Sequence, residues 1–350
     1  MAFDDGPSFI DLFSGCGGLS NGFSQAGFVG VAAVDNWDDA LETHSLNHPS
    51  MSSISMDLGS KSSIASLKAF RGIDVIVGGP PCQGFSISGK RNPLDERNDL
   101  YKGFLEAVRI LKPKFFLMEN VPNLMGMQKG SIYNQIVVDF EQIGYSTKSS
   151  ILLASDFGVP QNRKRFFMVG QPKSHIDNSF IFPETQFLVD QKITCLEAIS
   201  DLPKNTLKNG SRYPSGPKSD YQTEMRKESD EVWNHEITQH TEKTKSIIAL
   251  VPDGGNYKDL PKSLQQTRKV NIAWTRLNSQ KPSLTVDTGH RHHFHYKWNR
   301  VPTVREAARL QSFSDNFIFS GTRTSQMRQV GNAVPPLLAK ALATKIIEVI

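Results

Sequence analysis

Cys82 stands in the run Gly78-Gly79-Pro80-Pro81-Cys82-Gln83-Gly84-Phe85-Ser86. Gly-Gly-Pro-Pro makes a poor core segment, so the cysteine behind it is presented rather than packed. A thiol held there becomes a nucleophile where cationic neighbours lower its pKa. A buried structural cysteine is the ordinary alternative. Glu119, in Glu119-Asn120-Val121, follows an apolar run and can act as an acid or hydrogen-bond a substrate ring; a plain surface glutamate is the other reading. In Gln161-Asn162-Arg163-Lys164-Arg165 the two arginines alternate, so on a strand both point to one face. There they could hold a phosphate or a base oxygen bidentately, or guard a sheet edge.

Phe13-Ser14-Gly15-Cys16-Gly17-Gly18 is a different kind of signal. Its glycines let the backbone turn sharply and approach a ligand closely. The spacing is not G-x-G-x-x-G, so nicotinamide chemistry is poorly supported, and a nucleotide-like ligand is the broader expectation. Asp35 sits where an acidic residue accepts ribose hydroxyls, or it caps the helix that follows. Asp57 could accept from an adenine amino group or merely cap a turn.

These residues need elements to hold them. Up to about residue 170, short apolar runs alternate with amphipathic stretches. Strands are expected over 8–13, 30–34, 73–77, 114–118, 146–153 and 165–169. Helices are expected over 19–26, 37–47, 100–111 and 132–142. Alternation of this kind gives an α/β doubly wound, mostly parallel sheet, with the polar and glycine-rich segments at its carboxyl edge. Beyond residue 170 the composition shifts, and 204–220 is rich in Pro, Gly, Ser, Asn and Lys. Helical periodicity returns over 302–312 and 337–350.

Composition narrows the class. With 350 residues, 38% of them apolar and 21% charged, the chain can bury a sizeable core. No apolar run is long enough for a membrane span, and the acidic start around Asp4 and Asp5 does not read as a secretion signal. Cys16, Cys82 and Cys195 cannot form a disulfide framework, so a reducing, cytoplasmic compartment is expected. The net charge is +5, of which 181–300 carries +4 from 18 Lys+Arg against 14 Asp+Glu. That is a weak pointer to an anionic partner. Six of the nine histidines lie in the same stretch, but 289–295 does not follow a standard zinc spacing, so no metal is expected.

Taken together the motifs resemble the cytosine-C5 DNA methyltransferase family, bacterial restriction–modification type. The resemblance runs in family order through 9–23, Asp35, Asp57, 78–86, 97–121, 157–170, 300–313 and 329–343. Only about 175–290 matches weakly, and there such enzymes carry target recognition. The resemblance implies a Rossmann-like S-adenosylmethionine-binding catalytic domain, 1–180 plus 322–350, and a smaller, irregular target-recognition domain, 181–321.

It also implies roles. Phe13, Gly15, Cys16, Gly17 and Gly18 would line the S-adenosylmethionine pocket, with Asp35 and Asn36 at the ribose and Asp57 and Leu58 at the adenine. Pro80, Leu100, Asn332, Ala333 and Val334 would close it. Cys82 would add to cytosine C6, Glu119 would contact N3 and the exocyclic amine, Arg165 would hold O2, and Arg163 would orient that group or bind a phosphate. The target base must be flipped out of the duplex, under a loop of 83–97 in which Gln83 and Ser86 contact DNA. The expected partner is double-stranded DNA, read by a monomer. Any cognate restriction endonuclease would be a separate protein, because the motifs occupy both ends of the chain. Asp35 departs from the family's more usual glutamate, and Ser314-Asp315 from its Pro-Asp. An RNA methyltransferase is the other substrate class. Its tRNA branch carries Cys-Phe-Thr near Glu-Asn-Val, whereas here Pro122-Asn123-Leu124 follows.

Overall fold

The computed structural model describes residues 6–81, 98–174, 179–265, 274–289 and 293–350. They fall into two compact units, Met1–Leu153 with Lys164–Glu184 and Leu338–Ile350, and Ala154–Arg163 with Thr185–Leu337. The boundaries depart from the expected 181 and 322: both 154–163 and 322–337 group with the second unit.

The first unit is built on β1 (Ser8–Leu12), β2 (Val29–Asp35), β3 (Ser52–Ser55), β4 (Val75–Gly78), β5 (Phe115–Asn120), β6 (Tyr145–Leu153) and β7 (Lys164–Pro172). Its helices are α1 (Gly18–Gln25), α2 (Asp38–Asn47), α3 (Lys61–Ser66), α4 (Asn98–Leu111) and α5 (Ser131–Gln142). The strand order is β3-β2-β1-β4-β5-β7-β6. All pairs are parallel except β5–β7 and β7–β6. The order reverses direction at β1–β4, the switch point where such sheets bind ligands at their carboxyl edge.

The central strands are near-continuous apolar runs because helices cover both faces. Ile10, Leu12, Ile76, Phe116 and Met118 are fully buried. Phe116 stacks on Phe140 of α5 at 4.2 Å. Its cross-strand partner is Gly170, where a Cβ would lie 1.9 Å from the Phe116 ring. Only glycine fits opposite that phenyl. Gly78 has the same function against β1, since its Cβ would lie 2.2 Å from the Leu12 carbonyl oxygen.

The second unit has little regular structure: α6 (Cys195–Ile199), α7 (Asp220–Arg226), α8 (Glu242–Ala249), α9 (Lys262–Gln265), α10 (Val304–Leu310) and α11 (Arg323–Asn332), with the two-residue strands β8 (Ser211–Arg212), β9 (Glu231–Val232), β10 (Thr275–Arg276) and β11 (His293–Phe294). The closing helix α12 (Pro336–Ile347) begins at its end and continues into the first unit.

Buried charge compensates for the missing sheet. Arg309 meets Asp315 through two bonds of 2.6 Å and Asp201 at 3.1 and 3.2 Å. Arg305 donates to the carbonyls of Trp233, Ser314 and Phe317. Arg300 forks onto Glu306 at 2.7 and 2.6 Å, and that pairing holds the Glu306 carboxyl far below its usual range despite burial. The stretch 300–315, which contains the resemblance motif 300–313, is thus the internal frame of this unit.

Among the described residues no helix is long and apolar enough to cross a membrane.

Candidate active site

Three loops at the carboxyl edge of the first unit carry the residues expected at the methyl donor. After β1 the chain turns through the left-handed region at Phe13, Gly15 and Gly17, with φ of 60, 52 and 96°. A Cβ on Gly15 would meet nothing within 4 Å, so this turn borders open space. Cys16 is buried in it.

Asp35 ends β2 and does two jobs. Its Oδ2 accepts from the Gly15 amide at 2.7 Å, and Oδ1 accepts from the amides of Asn36 and Trp37 at 2.8 and 3.0 Å. The carboxylate therefore ties the glycine turn to the start of α2. It is half-buried, and a carboxylate has about four acceptor positions, so it can still take hydroxyl donors. The Met56 amide donates to the Asp35 carbonyl, which brings the third loop alongside. There Asp57 is exposed and accepts from the Gly59 amide at 2.8 Å. Both readings of Asp57 thus survive: it does cap a turn, and it faces solvent. Gly103 lets α4 lie against this loop, since its Cβ would come 2.0 Å from the Leu58 carbonyl oxygen. That packing also brings Leu100 beside Gly59. An open glycine turn, an oriented carboxylate and a second acidic loop fit a ribose-adenine ligand.

Beneath the turn lies a buried polar chain that the sequence reading did not pick out. Ser20 donates its hydroxyl to Asp11 Oδ2 at 2.7 Å. His44 Nε2 lies 3.0 Å from the Ser20 oxygen, and its Nδ1 lies 3.0 Å from Ser53 Oγ. Burial pushes the Asp11 carboxyl up to about 7, and it pushes His44 down to about 3 and His48 to about 4. Neutral imidazoles follow, with His44 donating from Nε2 to Ser20. A Cβ on Gly17 would lie 2.8 Å from the His44 ring, so glycine there admits the histidines under the turn.

The residues expected to act on the base lie at the ends of β5 and β7, beside the end of β4. Because β7 runs antiparallel to β5, its first residues lie at the carboxyl edge. Glu119 pairs with Phe167, which puts Arg165 diagonally across on the same face. Arg165 Nε lies 3.0 Å from Glu119 Oε1, and both side chains are mostly buried, 16% and 13% exposed. Burial lowers the Arg165 guanidinium from its ordinary value while Glu119 opposes that shift. Gly79 leaves room for the carboxylate, since its Cβ would lie 2.9 Å from Glu119 Oε2. Asn120 donates from Nδ2 to the Pro80 carbonyl at 2.9 Å and accepts the Val121 amide on Oδ1. It ties the end of β5 to the segment that leads into Cys82. Asn120 was legible only as part of Glu119-Asn120-Val121; its positioning role was not. Cys82, Gln83 and Ser86 lie outside the described residues.

Arg163 departs from expectation. Strand β7 begins one residue later, so the two arginines do not alternate along it. Arg163 belongs to the second unit and is 1% exposed. It donates to the carbonyls of Val286 at 3.3 Å and Gly331 at 2.7 Å. It thus holds backbone together within the second unit. Gln161 beside it is fully buried and bonds Val286, Leu310 and Gln311. Asn332, Ala333 and Val334 also belong to the second unit, at the end of α11. Asn332 is exposed, Val334 is buried, and the Ala333 carbonyl accepts from Gln311 at 2.7 Å.

Comparison with known proteins agrees with this geometry. The family model for C-5 cytosine-specific DNA methylase matches residues 7–348. The chain is 38% identical to the Type II methyltransferase M.DdeI of Desulfomicrobium norvegicum, over 97% of this chain and 88% of the relative. It is also 38% identical to the Type II methyltransferase M1.HphI of Haemophilus parahaemolyticus, over 97% and 87%. Among solved structures it is similar to a prophage-encoded E. coli protein described as a DNA modification methyltransferase, at TM-score 0.78 and 29% identity over 98% of this chain and 99% of that one. The S. pombe Dnmt2 methyltransferase, at 18% identity and TM-score 0.59 over 98% of both chains, shares the fold.

Proposed function

Because the chain belongs to the C-5 cytosine-specific DNA methylase family, we propose that it methylates C5 of a cytosine flipped out of a short duplex DNA sequence, with Cys82, Glu119 and Arg165 carrying the reaction. The observation that supports this assignment best is the Glu119–Arg165 pair, held on one face of the carboxyl edge, next to the Asn120 clasp on Pro80.

Cytosine C5 is a poor nucleophile. Addition of the Cys82 thiolate at C6 forms an S–C6 bond and makes the ring enamine-like, so that C5 can attack an electrophile. Glu119 donates a proton at N3 or hydrogen-bonds it, which draws electron density from C6 as the sulfur arrives. Arg165 holds O2 and, as a fixed cation, keeps Glu119 aimed at the ring. Departure of the C5 proton and of the thiolate then restores aromaticity. S-Adenosylmethionine, when bound, supplies the methyl group on a sulfonium. Gly15 and Gly17 shape the backbone beside it, Asp35 accepts from its ribose, and Asp57 and Leu58 border its adenine. Extruding the base from the stack costs on the order of a few kcal/mol, which DNA contacts from Gln83 and Ser86 offset.

We propose that the second unit reads the target sequence. The Type II names of its relatives support a modification enzyme paired with a separate endonuclease. The test is incubation with labelled S-adenosylmethionine and mixed-sequence duplex DNA, then sequencing for 5-methylcytosine. The expected product carries 5-methylcytosine in one short motif. Label entering RNA but not duplex DNA would overturn the reading.

A further inference from the structure

Three lysines of the second unit gather at one aromatic cleft. Trp298, Tyr296, Lys297, Lys218 and Leu196 line a cavity of about 350 Å³. The ammonium of Lys297 lies 4.8 Å from the Trp298 ring centroid, and that of Lys204 lies 5.4 Å from it. Lys218 donates from Nζ to the Ser200 carbonyl at 3.1 Å. Among the described residues that line the cavity, Glu197 is the sole carboxylate, and its Oε2 already accepts from Thr194.

The loop that carries Tyr296, Lys297 and Trp298 is rigid by construction. His295 is 1% exposed, and its Nδ1 accepts the amides of Lys297 at 3.0 Å and Trp298 at 3.1 Å. An imidazole that accepts at Nδ1 is neutral, and burial does hold His295 down at about 4. Arg276 pins the same loop from below, donating to the carbonyls of His295 and Trp298. Arg300 donates from Nε to the Lys204 carbonyl. Buried side chains thus fix the backbone under all of Lys204, Lys297 and Trp298. Gathering like charges at one indole is favourable toward the ring but leaves them mutually repelling until an anion arrives.

Building on the proposed activity, we propose that this cleft grips the phosphodiester backbone of duplex DNA, as a contact that positions the enzyme rather than reads bases. Cationic side chains on held backbone suit phosphate oxygens. The volume exceeds that of a lone phosphate, and the faces of Trp298 and Tyr296 offer apolar contact to a deoxyribose.

The test is duplex binding by the full-length protein across a salt series, comparing wild type with the triple variant Lys204→Ala, Lys218→Ala, Lys297→Ala and with its Lys→Arg counterpart. All three lysines are exposed, so the substitutions leave the fold intact, which a thermal melt checks. Each lost phosphate contact lowers the slope of log K against log salt by about 0.9. The alanine variant should lose a slope of about 2 to 3 and bind at least tenfold more weakly, at all sequences alike, while the arginine variant keeps the slope. Methylation at saturating DNA should be unchanged. Unchanged slope and affinity in the alanine variant, with a wild type that methylates duplex, would overturn the clamp and leave the proposed function standing. A wild type that binds no duplex would overturn both.

Discussion

Glu119→Gln should lower kcat by about 10²–10⁴, the range that a positioned general acid or base supplies, with little change in duplex affinity. Glutamine keeps the shape and can still hydrogen-bond a ring nitrogen, but it cannot deliver a proton there. The geometry makes the substitution informative. Arg165 holds one oxygen of Glu119 at 3.0 Å, and Gly79 leaves the other against open backbone, so a glutamine side chain has the same room. Steady-state kinetics on an unmethylated target duplex separates the two roles. A fall in kcat with KM unchanged marks an interaction made only in the transition state. A rise in KM alone would mean that Glu119 merely holds the ground-state base, and the acid role would be lost.

Arg309→Met should destabilise the protein by about 3–5 kcal/mol, the cost of breaking a buried ion pair by removing one partner. That is a large share of the ~5–15 kcal/mol that holds a typical domain. Arg309 is fully buried and bridges Asp201 and Asp315, with a further bond to the Ala198 carbonyl at 2.9 Å. Methionine fills much of the volume but removes the forked contacts, leaving Asp201 with Arg226 at 3.3 Å and Asp315 with Arg305 at 3.6 Å. Urea unfolding of the two proteins reads the difference. The companion variant Arg309→Met with Asp315→Leu should recover part of the loss, because it removes the buried carboxylate left with only the longer Arg305 contact. A single-variant loss below about 1 kcal/mol would show that Asp201 and Asp315 do not depend on Arg309.

These two residues also mark what a sequence can and cannot disclose. Glu119 and Arg165 are 46 positions apart in the chain, yet each was legible alone, as a polar residue at the end of an apolar run. What the run could not show was the antiparallel turn of β7 that brings Arg165 to the carboxyl edge. The same blindness misread Arg163. Alternation is informative only inside a strand, and β7 starts at Lys164. The parallel strands were legible because burial on both faces makes them apolar throughout. Strand β3 was not read, since Ser52-Ser53-Ile54-Ser55 is a polar edge with no such run. Helix α11 was missed for a related reason: its core face is small, and Arg323-Thr324-Ser325-Gln326 reads as a loop.

The second unit hides its organisation still better. Buried Arg300, Arg305, Arg309, Glu306 and Asp315 carry the framework, and charged residues inside a core look in sequence like solvated surface. One signal was present: Thr194 and Thr303 each precede a Glu by three positions, the reciprocal capping pattern that starts α6 and α10. The polar chain from Asp11 through Ser20 to His44 left no comparable mark. Its members come from three elements, β1, α1 and α2, and meet only when the sheet is built.

The proposed reaction turns on a covalent bond between Cys82 and cytosine C6, and trapping that bond is the decisive experiment. Duplex DNA synthesised with 5-fluorocytosine in place of cytosine has no C5 proton to release, so the reaction should stop after methyl transfer with the sulfur still attached. Incubated with this DNA and S-adenosylmethionine, the wild-type protein should give a complex that survives denaturing electrophoresis. Peptide mapping should place the nucleotide on Cys82, and Cys82→Ser should give no such complex. A wild-type protein that methylates ordinary duplex but forms no denaturation-resistant complex, or one that carries the adduct on another residue, would contradict the mechanism.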